Sequence, residues 1–228
     1  MTITTFNKET NQDKILKEKP RRQGQRLMNT GVESENTNRP NTSDDQLICN
    51  SSNRGRVAIF IDGSNLFHTA LQLGIEIDYA KLLCHLTQDA RLLRAFFYSG
   101  MERGNDKQQG FLFWMRRNGY RVVTKELISL PDGSKKSNLD VEIAVDMITL
   151  SPYYDTAVLV GGHGDLAYAV NALSYKGVRV EVVSLRGISS DSLIDVADCF
   201  IDLDSIKQYI QKDPHSGYNY RSLSNSSF

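Results

Sequence analysis

Short apolar runs of strand length alternate along this chain with apolar positions at helical spacing, which predicts strands and helices in regular succession from Arg56 onward. Residues 57–61 form a short apolar run of strand length, and Leu66, Ala70 and Leu73 then follow helical spacing. Strand and helix signals that alternate in this way are typical of a parallel sheet with helices on both faces. The pattern therefore predicts an α/β fold.

The same two patterns predict the remaining elements. Asp78 is a typical N-cap for a second helix, and Gly119 is a typical end for a third. Residues 131–137 have the turn chemistry of a loop. The further strands are predicted at 92–98, 120–125, 157–160, 178–183 and 199–201, and the further helices at 105–118, 139–150, 166–175, 189–197 and 203–210.

Two polar segments flank the predicted domain, which spans residues 55–212. Residues 1–54 contain too few apolar side chains to offset the entropy of ordering, so we expect them to form a disordered arm. We expect residues 213–228, which are also polar, to form a flexible tail. A basic cluster in the arm is able to contact phosphates or protein partners, although a solvated tail is the simpler interpretation. The cluster consists of Lys14, Lys17, Lys19, Arg21, Arg22 and Arg26.

Composition favours a globular protein that works in the cytoplasm without a membrane anchor. The 27 basic and 27 acidic residues cancel, so nucleic-acid contacts must come from local patches. The sequence has no apolar stretch of the ~18 residues that a membrane span needs and no secretory hydrophobic region. The three scattered cysteines, without a CxxC pair, predict reduced thiols.

Carboxylates stand where two of the apolar runs end. Asp62 follows the run 57–61, and Asp165 follows the strand 157–160 and its glycines. Because the carboxyl ends of parallel strands face one crevice, these two carboxylates are expected to lie close together. Asp140 and Asp146 lie on a mostly buried helix, where an unpaired carboxylate costs several kcal/mol. Such a cluster favours Mg²⁺ or Mn²⁺, ions that activate water for attack on a phosphodiester.

Each of these polar residues also has an ordinary structural interpretation. Asp62 is able to cap the turn that follows it, and Asp165 and Asp140 are able to act as helix N-caps. Asp146 points about 120° away from Asp140, because six residues separate them on a helix. Asn65 either orients a water or bonds to the Asp62 carboxylate, or it simply caps the first helix.

Candidate substrate-binding residues are Ser64 and two lysines. Lys135 and Lys136 stand just before Asp140, where they are able to meet the phosphates of a substrate, and a solvated loop explains them equally well. The predicted helix 105–118 and its flank mix base-stacking with phosphate-contacting types, although such a helix more often buries its aromatic side chains. These residues are Arg103, Lys107, Arg116 and Arg117, with Phe111, Phe113 and Trp114.

Three sequence blocks between residues 56 and 211 resemble, in order, those of the NYN-domain family, a branch of the PIN-like nucleases, and specifically its LabA-like bacterial members. The blocks read VAIFIDGSNLF, SNLDVEIAVDM and AVLVGGHGDLAYAVNALSYKGVRVEVVSL. The resemblance implies a PIN-like three-layer sandwich with a central, mostly parallel sheet. It also implies cleavage of RNA, single-stranded rather than duplex, at a Mg²⁺ or Mn²⁺ site. By motif position, the catalytic residues are Asp62, Asn65, Asp140, Asp146 and Asp165.

The third block departs from the family pattern at His163. The family usually has Ser-Gly-Asp-x-Asp-Phe, whereas residues 161–166 read Gly-Gly-His-Gly-Asp-Leu, so histidine stands in place of the first aspartate. A neutral imidazole binds Mn²⁺ or a softer metal but suits Mg²⁺ poorly, and a protonated imidazole repels any cation.

Two functional hypotheses follow from this departure. The first is a ribonuclease whose metal ligands are Asp62, Asp140 and Asp165, with His163 as a further candidate. The second is a catalytically weakened regulator that binds RNA or protein, because LabA-like relatives are associated with repression of clock-controlled gene expression. A homodimer is left open.

Overall fold

Six parallel strands form the central sheet of the computed structural model, which describes residues 53–129 and 135–213. The spatial order is β3-β2-β1-β6-β7-β8, and β4 pairs with β5 in a separate antiparallel hairpin. The strands are β1 (Arg56–Asp62), β2 (Arg91–Met101), β3 (Tyr120–Glu126), β4 (Ile128–Ser129), β5 (Lys135–Lys136), β6 (Thr156–Val160), β7 (Arg179–Ser184) and β8 (Cys199–Asp202).

Helices cover both faces of this sheet and complete three layers. α1, α2, α3 and α7 share one buried core with the sheet, and α4, α5 and α6 share the other. The predicted α/β sandwich with a parallel sheet is therefore confirmed. The helices are α1 (Gly63–Leu73), α2 (Tyr79–Leu86), α3 (Asp106–Arg117), α4 (Asp140–Leu150), α5 (Ala167–Ser174), α6 (Asp191–Ile194) and α7 (Leu203–Ile210).

The first strand of the chain, β1, lies in the middle of the sheet, and this arrangement creates the crevice in which the candidate site lies. From β1 the strands extend outward through β2 to β3, and the chain then returns to place β6 on the other side of β1. The strand order thus reverses direction between β1 and β6. In open parallel sheets, ligands bind beyond the carboxyl ends of the strands at such a point.

The alternation of side chains along β1 decides which face Asp62 occupies. Val57, Ile59 and Ile61 pack in the core with α1, whereas Ala58 and Phe60 pack in the core with α4. Asp62 continues the second set, so its carboxylate faces the α4 side. A slip of one residue would exchange the two sets of side chains, and each fully buried one contributes about 1.5–3 kcal/mol, so the register is strongly fixed.

Element ends differ from the predicted ones where serines and glycines are dense. The helix predicted at 166–175 is a 3₁₀ turn, Gly164–Leu166, followed by α5. The helix predicted at 189–197 shrinks to the four residues of α6, because local hydroxyl bonds such as Ser189 Oγ to the carbonyl of Leu185 (2.8 Å) compete with helical ones. Lys135 and Lys136, predicted in a loop, form β5.

Both predicted helix signals are confirmed at α2 and α3. The Asp78 carboxylate accepts hydrogen bonds from the backbone N–H groups of Ala80 and Lys81, so it caps α2. Gly119, just beyond α3, has φ +92°, in the left-handed region that favours glycine.

Several expectations concern regions outside the described residues or differ from the structure. The arm up to residue 52, its basic cluster and the tail from residue 214 lie outside the described part. Cys199 is disulfide-bonded, so the expectation of reduced thiols is wrong at that position. No spacing motif in the sequence marks this bridge. Cys84 is a free thiol, as expected. Among the described helices, none is both long and apolar enough to cross a bilayer.

Candidate metal centre

Asp62 stands at the junction of β1 and α1 and uses its two carboxylate oxygens differently. Oδ1 accepts hydrogen bonds from the backbone N–H groups of Ser64 (2.9 Å) and Asn65 (3.1 Å), which caps α1. Oδ2 faces His163, at 3.8 Å from its Nδ1. The residue is 6% exposed. The capping role and a ligand role are therefore compatible, because they fall on different oxygens.

Asp140 is the first residue of α4 and is also buried. Its backbone N–H donates to Oδ1 of Asn138 at 2.7 Å, and the N-cap position belongs to Leu139, so Asp140 is not the N-cap of this helix. The carboxylate of Asp140 instead contacts the ring of His163, with Nδ1 at 3.2 Å from Oδ1 and 3.3 Å from Oδ2. The second block of the sequence thus delivers one carboxylate to the crevice.

A glycine-containing loop after β6 positions His163. The backbone N–H of Gly161 donates to the carbonyl of Val183 (3.1 Å), and the carbonyl of Gly162 accepts from the N–H of Ser190 (3.0 Å). A Cβ at Gly162 would lie only 2.9 Å from Oγ of Ser184. The missing side chain therefore lets the loop pack closely against the segment that follows β7.

Asp62, Asp140 and His163 converge on one point at the carboxyl end of the sheet. Each offers one ligand atom, and these atoms all lie within 4.8 Å of one another. Burial raises the pKa of Asp62, while its cap donors and the nearby imidazole oppose that rise. The hydrogen bond to Asp140 raises the pKa of His163 against the effect of burial. Two buried carboxylates thus favour positive charge at this point, either a proton on the imidazole or a bound cation.

The donor set fits a divalent cation. Two carboxylates and one imidazole match the ligands of Mn²⁺ and similar transition metals, whereas Mg²⁺ prefers oxygen alone. Three protein ligands leave coordination positions for water or a phosphate oxygen. The chemistry of the side chains is therefore that of a reactive metal site more than that of a closed structural one.

Two predicted carboxylates lie apart from this cluster. Asp165 is exposed in the 3₁₀ turn Gly164–Leu166, and its charge helps to raise the pKa of His163. Asp146, further along α4, accepts a hydrogen bond from the hydroxyl of Tyr98 at 2.8 Å. Within the described chain, the group of possible metal ligands at this point does not include either residue.

The other predicted site residues flank the cluster. Asn65 and Ser64 form the first turn of α1 and contribute their backbone N–H groups to Asp62, and Ser64 is exposed. Lys135 and Lys136 lie on β5, paired with Ser129 and Ile128, and their side chains lie outside the described part of the structure.

The aromatic and basic residues of α3 are only partly buried. Phe111 packs against the core, whereas Phe113 and Trp114 are 58% and 42% exposed. Arg117 lies over the Phe113 ring at 5.6 Å. Arg103 forms an ion pair with Glu126 at 2.8 Å. The predicted burial of the aromatic side chains thus holds for Phe111 alone.

Two residues that support the site were not singled out from the sequence. Tyr98 lies inside an apolar strand, so its bond to Asp146 leaves no local signal. Asn138 carried a usable signal, because asparagine side chains commonly accept a hydrogen bond from the backbone N–H group two residues further on.

Comparisons with known proteins agree with this fold. The NYN domain family matches residues 56–204. The low amplitude and bright protein LabA of Synechococcus elongatus is 34% identical over 165 residues, which cover 69% of this chain and 88% of that protein. A crystal structure of a protein of unknown function, VPA0982 from Vibrio parahaemolyticus, superposes with a TM-score of 0.59 and 29% identity, covering 67% of this chain and 95% of that one. The chain therefore belongs to the NYN domain family and is a LabA-like member of it.

Proposed function

We propose that this protein is a metal-dependent ribonuclease that hydrolyses phosphodiester bonds in single-stranded RNA. The observation that carries the proposal is the convergence of Asp62, Asp140 and His163 within 4.8 Å at the switch point of the sheet. Membership of the NYN family supports a nuclease-like chemistry at this site.

In this proposal His163 takes the ligand position that the sequence had assigned to Asp165. Oδ2 of Asp62, the Asp140 carboxylate and the His163 ring hold the cation, and Asp165 contributes its charge from nearby. Because the imidazole adds a nitrogen donor, the site prefers Mn²⁺ to Mg²⁺. When bound, such an ion lowers the pKa of a water molecule and stabilises negative charge on a phosphate.

The protein's own residues position these groups. The two N–H groups that cap α1 fix Oδ1 of Asp62, which holds Oδ2 toward the crevice. Asn65 and Ser64 lie in the same turn, where the exposed Ser64 hydroxyl is available to a phosphate oxygen. Lys135 and Lys136 are proposed to neutralise the phosphates of the bound RNA. Asp146, held by Tyr98, supports α4 and so the placement of Asp140.

The test is incubation of the purified full chain with single-stranded RNA in Mn²⁺, beside two variants. Asp62→Asn removes a ligand charge but keeps the cap oxygen, whereas Asp106→Asn neutralises an exposed carboxylate at the start of α3 and is the matched control. We expect cleavage by the parent and the control, and none by Asp62→Asn. No cleavage by the parent, or equal cleavage by all three, would contradict the proposal.

A second candidate function is a regulator that binds RNA without cleaving it. The histidine at position 163, where the family carries a carboxylate, favours this candidate because it reduces the negative charge available to a metal. It predicts that the parent binds RNA without cleavage and that Asp62→Asn binds equally well. A large gain of cleavage in His163→Asp would indicate that the histidine had weakened an ancestral site.

A further inference from the structure

One face of α1 leads away from the metal centre and carries no charge. Ser64, Phe67, His68 and Leu71 are all exposed, and their spacing of three, four and seven residues places them in one stripe. The opposite face is buried through Leu66, Thr69 and Ala70. An exposed helix face is ordinarily covered by charged side chains, whereas α1 contains no Asp, Glu, Lys or Arg.

The stripe is continuous with the candidate site. It begins at Ser64, whose N–H donates to the Asp62 carboxylate at 2.9 Å. Phe67 is one turn further along, about 4.5 Å in axial rise from Ser64. If a phosphate of the RNA is held at the metal centre, the adjoining nucleotide is long enough to reach Phe67.

Two aromatic rings of the stripe are held in a defined arrangement. Phe67 is 57% exposed, and its ring meets that of His68 edge-on, with centroids 5.9 Å apart and an interplanar angle of 81°. Nδ1 of His68 lies 2.7 Å from the carbonyl oxygen of Ser64 and hydrogen-bonds to it. This bond fixes the imidazole beside the Phe67 ring, more than half of which is exposed to solvent.

We propose that the Ser64–Phe67–His68–Leu71 stripe is a stacking subsite for an unpaired nucleobase of the RNA held at the metal centre. The inference rests on the proposed function, because it needs RNA at that centre. Stacking on an open aromatic face does not depend on base identity, and it requires a base that is free of its partner strand. The subsite therefore selects single-stranded over duplex RNA.

A second copy of this chain is a less suitable occupant. Phe67 and Leu71 are the large apolar side chains of the stripe, at 57% and 62% exposure. Together they offer on the order of 200 Å², whereas a stable protein interface buries about 800 Å² on each partner. The exposed area matches a base and its ribose better than it matches a protein surface.

The direct test places a fluorescent ring at the subsite. The sequence contains one tryptophan, Trp114, so Phe67→Trp in a Trp114→Phe background gives a full chain with a single reporter on the stripe. The control reporter is Tyr175→Trp in the same background, since Tyr175 is 84% exposed at the C-terminal cap of α5. The probe is a phosphorothioate oligoadenylate of about ten nucleotides with Mn²⁺, used single-stranded or annealed to its complement.

We expect the single strand to quench the reporter at position 67 but not the reporter at 175, and the duplex to quench neither. In the native background, Phe67→Ala should weaken binding of the single strand by about 5- to 150-fold, and Phe67→Tyr should restore it. RNA binding without quenching at position 67, and with unchanged affinity in Phe67→Ala, would overturn the subsite while leaving the proposed function intact.

Two further outcomes would also overturn the inference. No RNA binding by the parent chain would overturn the subsite together with the proposed function. A change of oligomeric state in Phe67→Ala, measured by sedimentation in the absence of RNA, would assign the stripe to a second copy of the protein.

Discussion

Nδ1 of His163 lies 3.2 Å from Oδ1 of Asp140, so this histidine belongs to the same cluster as the buried carboxylates. The ring also faces Oδ2 of Asp62 at 3.8 Å, which puts one nitrogen donor between two buried carboxylates. The imidazole therefore gives this cluster a mixed set of oxygen and nitrogen donors.

Exchange of the histidine for the family's aspartate should change the metal preference. We expect the parent to bind Mn²⁺ more tightly than Mg²⁺, and His163→Asp to reduce that preference by roughly tenfold or more, because an all-oxygen donor set suits Mg²⁺. Isothermal titration calorimetry with each ion measures the ratio of the Mn²⁺ and Mg²⁺ affinities in both proteins. The control, Asp165→Asn, removes a nearby charge and should weaken both ions alike. An unchanged ratio in His163→Asp would contradict the ligand role of the imidazole.

The two oxygens of Asp62 should be separable by mutation. Asp62→Asn keeps an oxygen for the α1 cap and removes a carboxyl whose pKa burial raises, so the metal-free variant should unfold with a free energy equal to or above that of the parent at neutral pH. Asp62→Ala also loses the cap and should be about 1 kcal/mol less stable than Asp62→Asn. Urea denaturation provides both values.

Both Asp62 variants should lose at least roughly tenfold in Mn²⁺ affinity, since the loss of even a supporting residue costs about that much. If Asp62→Asn retained full affinity, Asp62 would be only a helix cap.

The packing of the His163 loop should tolerate no added methyl at Gly162. A Cβ there would lie 2.9 Å from Ser184 Oγ and 3.0 Å from Ser189 Oγ, so Gly162→Ala should cost about 1–3 kcal/mol of stability and weaken Mn²⁺ binding. Gly187→Ala is the matched control, because a Cβ at Gly187 meets no atom within 4 Å. Thermal unfolding of the two variants, with and without Mn²⁺, compares them. Equal stability and equal Mn²⁺ binding in the two variants would show that the loop accommodates the added methyl group and would contradict this prediction.

Alkaline pH should unfold the protein before its buried tyrosines ionise. Burial raises the pKa of Tyr79 to about 12 and also raises the pKa values of Tyr98, Tyr120 and Tyr154. Because the fold holds these phenols neutral, its stability should fall as pH rises above about 10, the ordinary pKa of tyrosine. Phenolate absorbance and circular dichroism should therefore report one late transition, and Tyr79→Phe should reduce its amplitude. If the phenolate absorbance of these tyrosines rose while the circular dichroism of the folded protein stayed unchanged, the result would contradict the expected coupling of tyrosine ionisation to unfolding.

The sequence was sufficient for the elements that have a strong local pattern. The continuous apolar run from Val57 to Ile61 predicts β1 and its end at Asp62, and the helical spacing of Leu203, Ile206 and Ile210 defines α7. Asp140 was also identifiable, because it opens a helix with a buried face.

The parts of the site that depend on loop geometry or on distant partners had no such pattern. His163 and Asp165 are two residues apart in a glycine-containing loop, and only its packing against Ser190 and Ser184 decides that His163 faces the carboxylates. Asp146 was assigned from its block, but its partner, Tyr98, is 48 residues away in sequence on another element. Periodicity carries no information on either contact.

The most direct measurement of the central claim is anomalous X-ray scattering from crystals of the full chain soaked in Mn²⁺. We expect one strong peak bonded to Oδ2 of Asp62, the Asp140 carboxylate and the His163 ring, and no such peak in His163→Ala crystals. The absence of a peak at high Mn²⁺, or a peak that leaves Asp62 and Asp140 unbound, would contradict it.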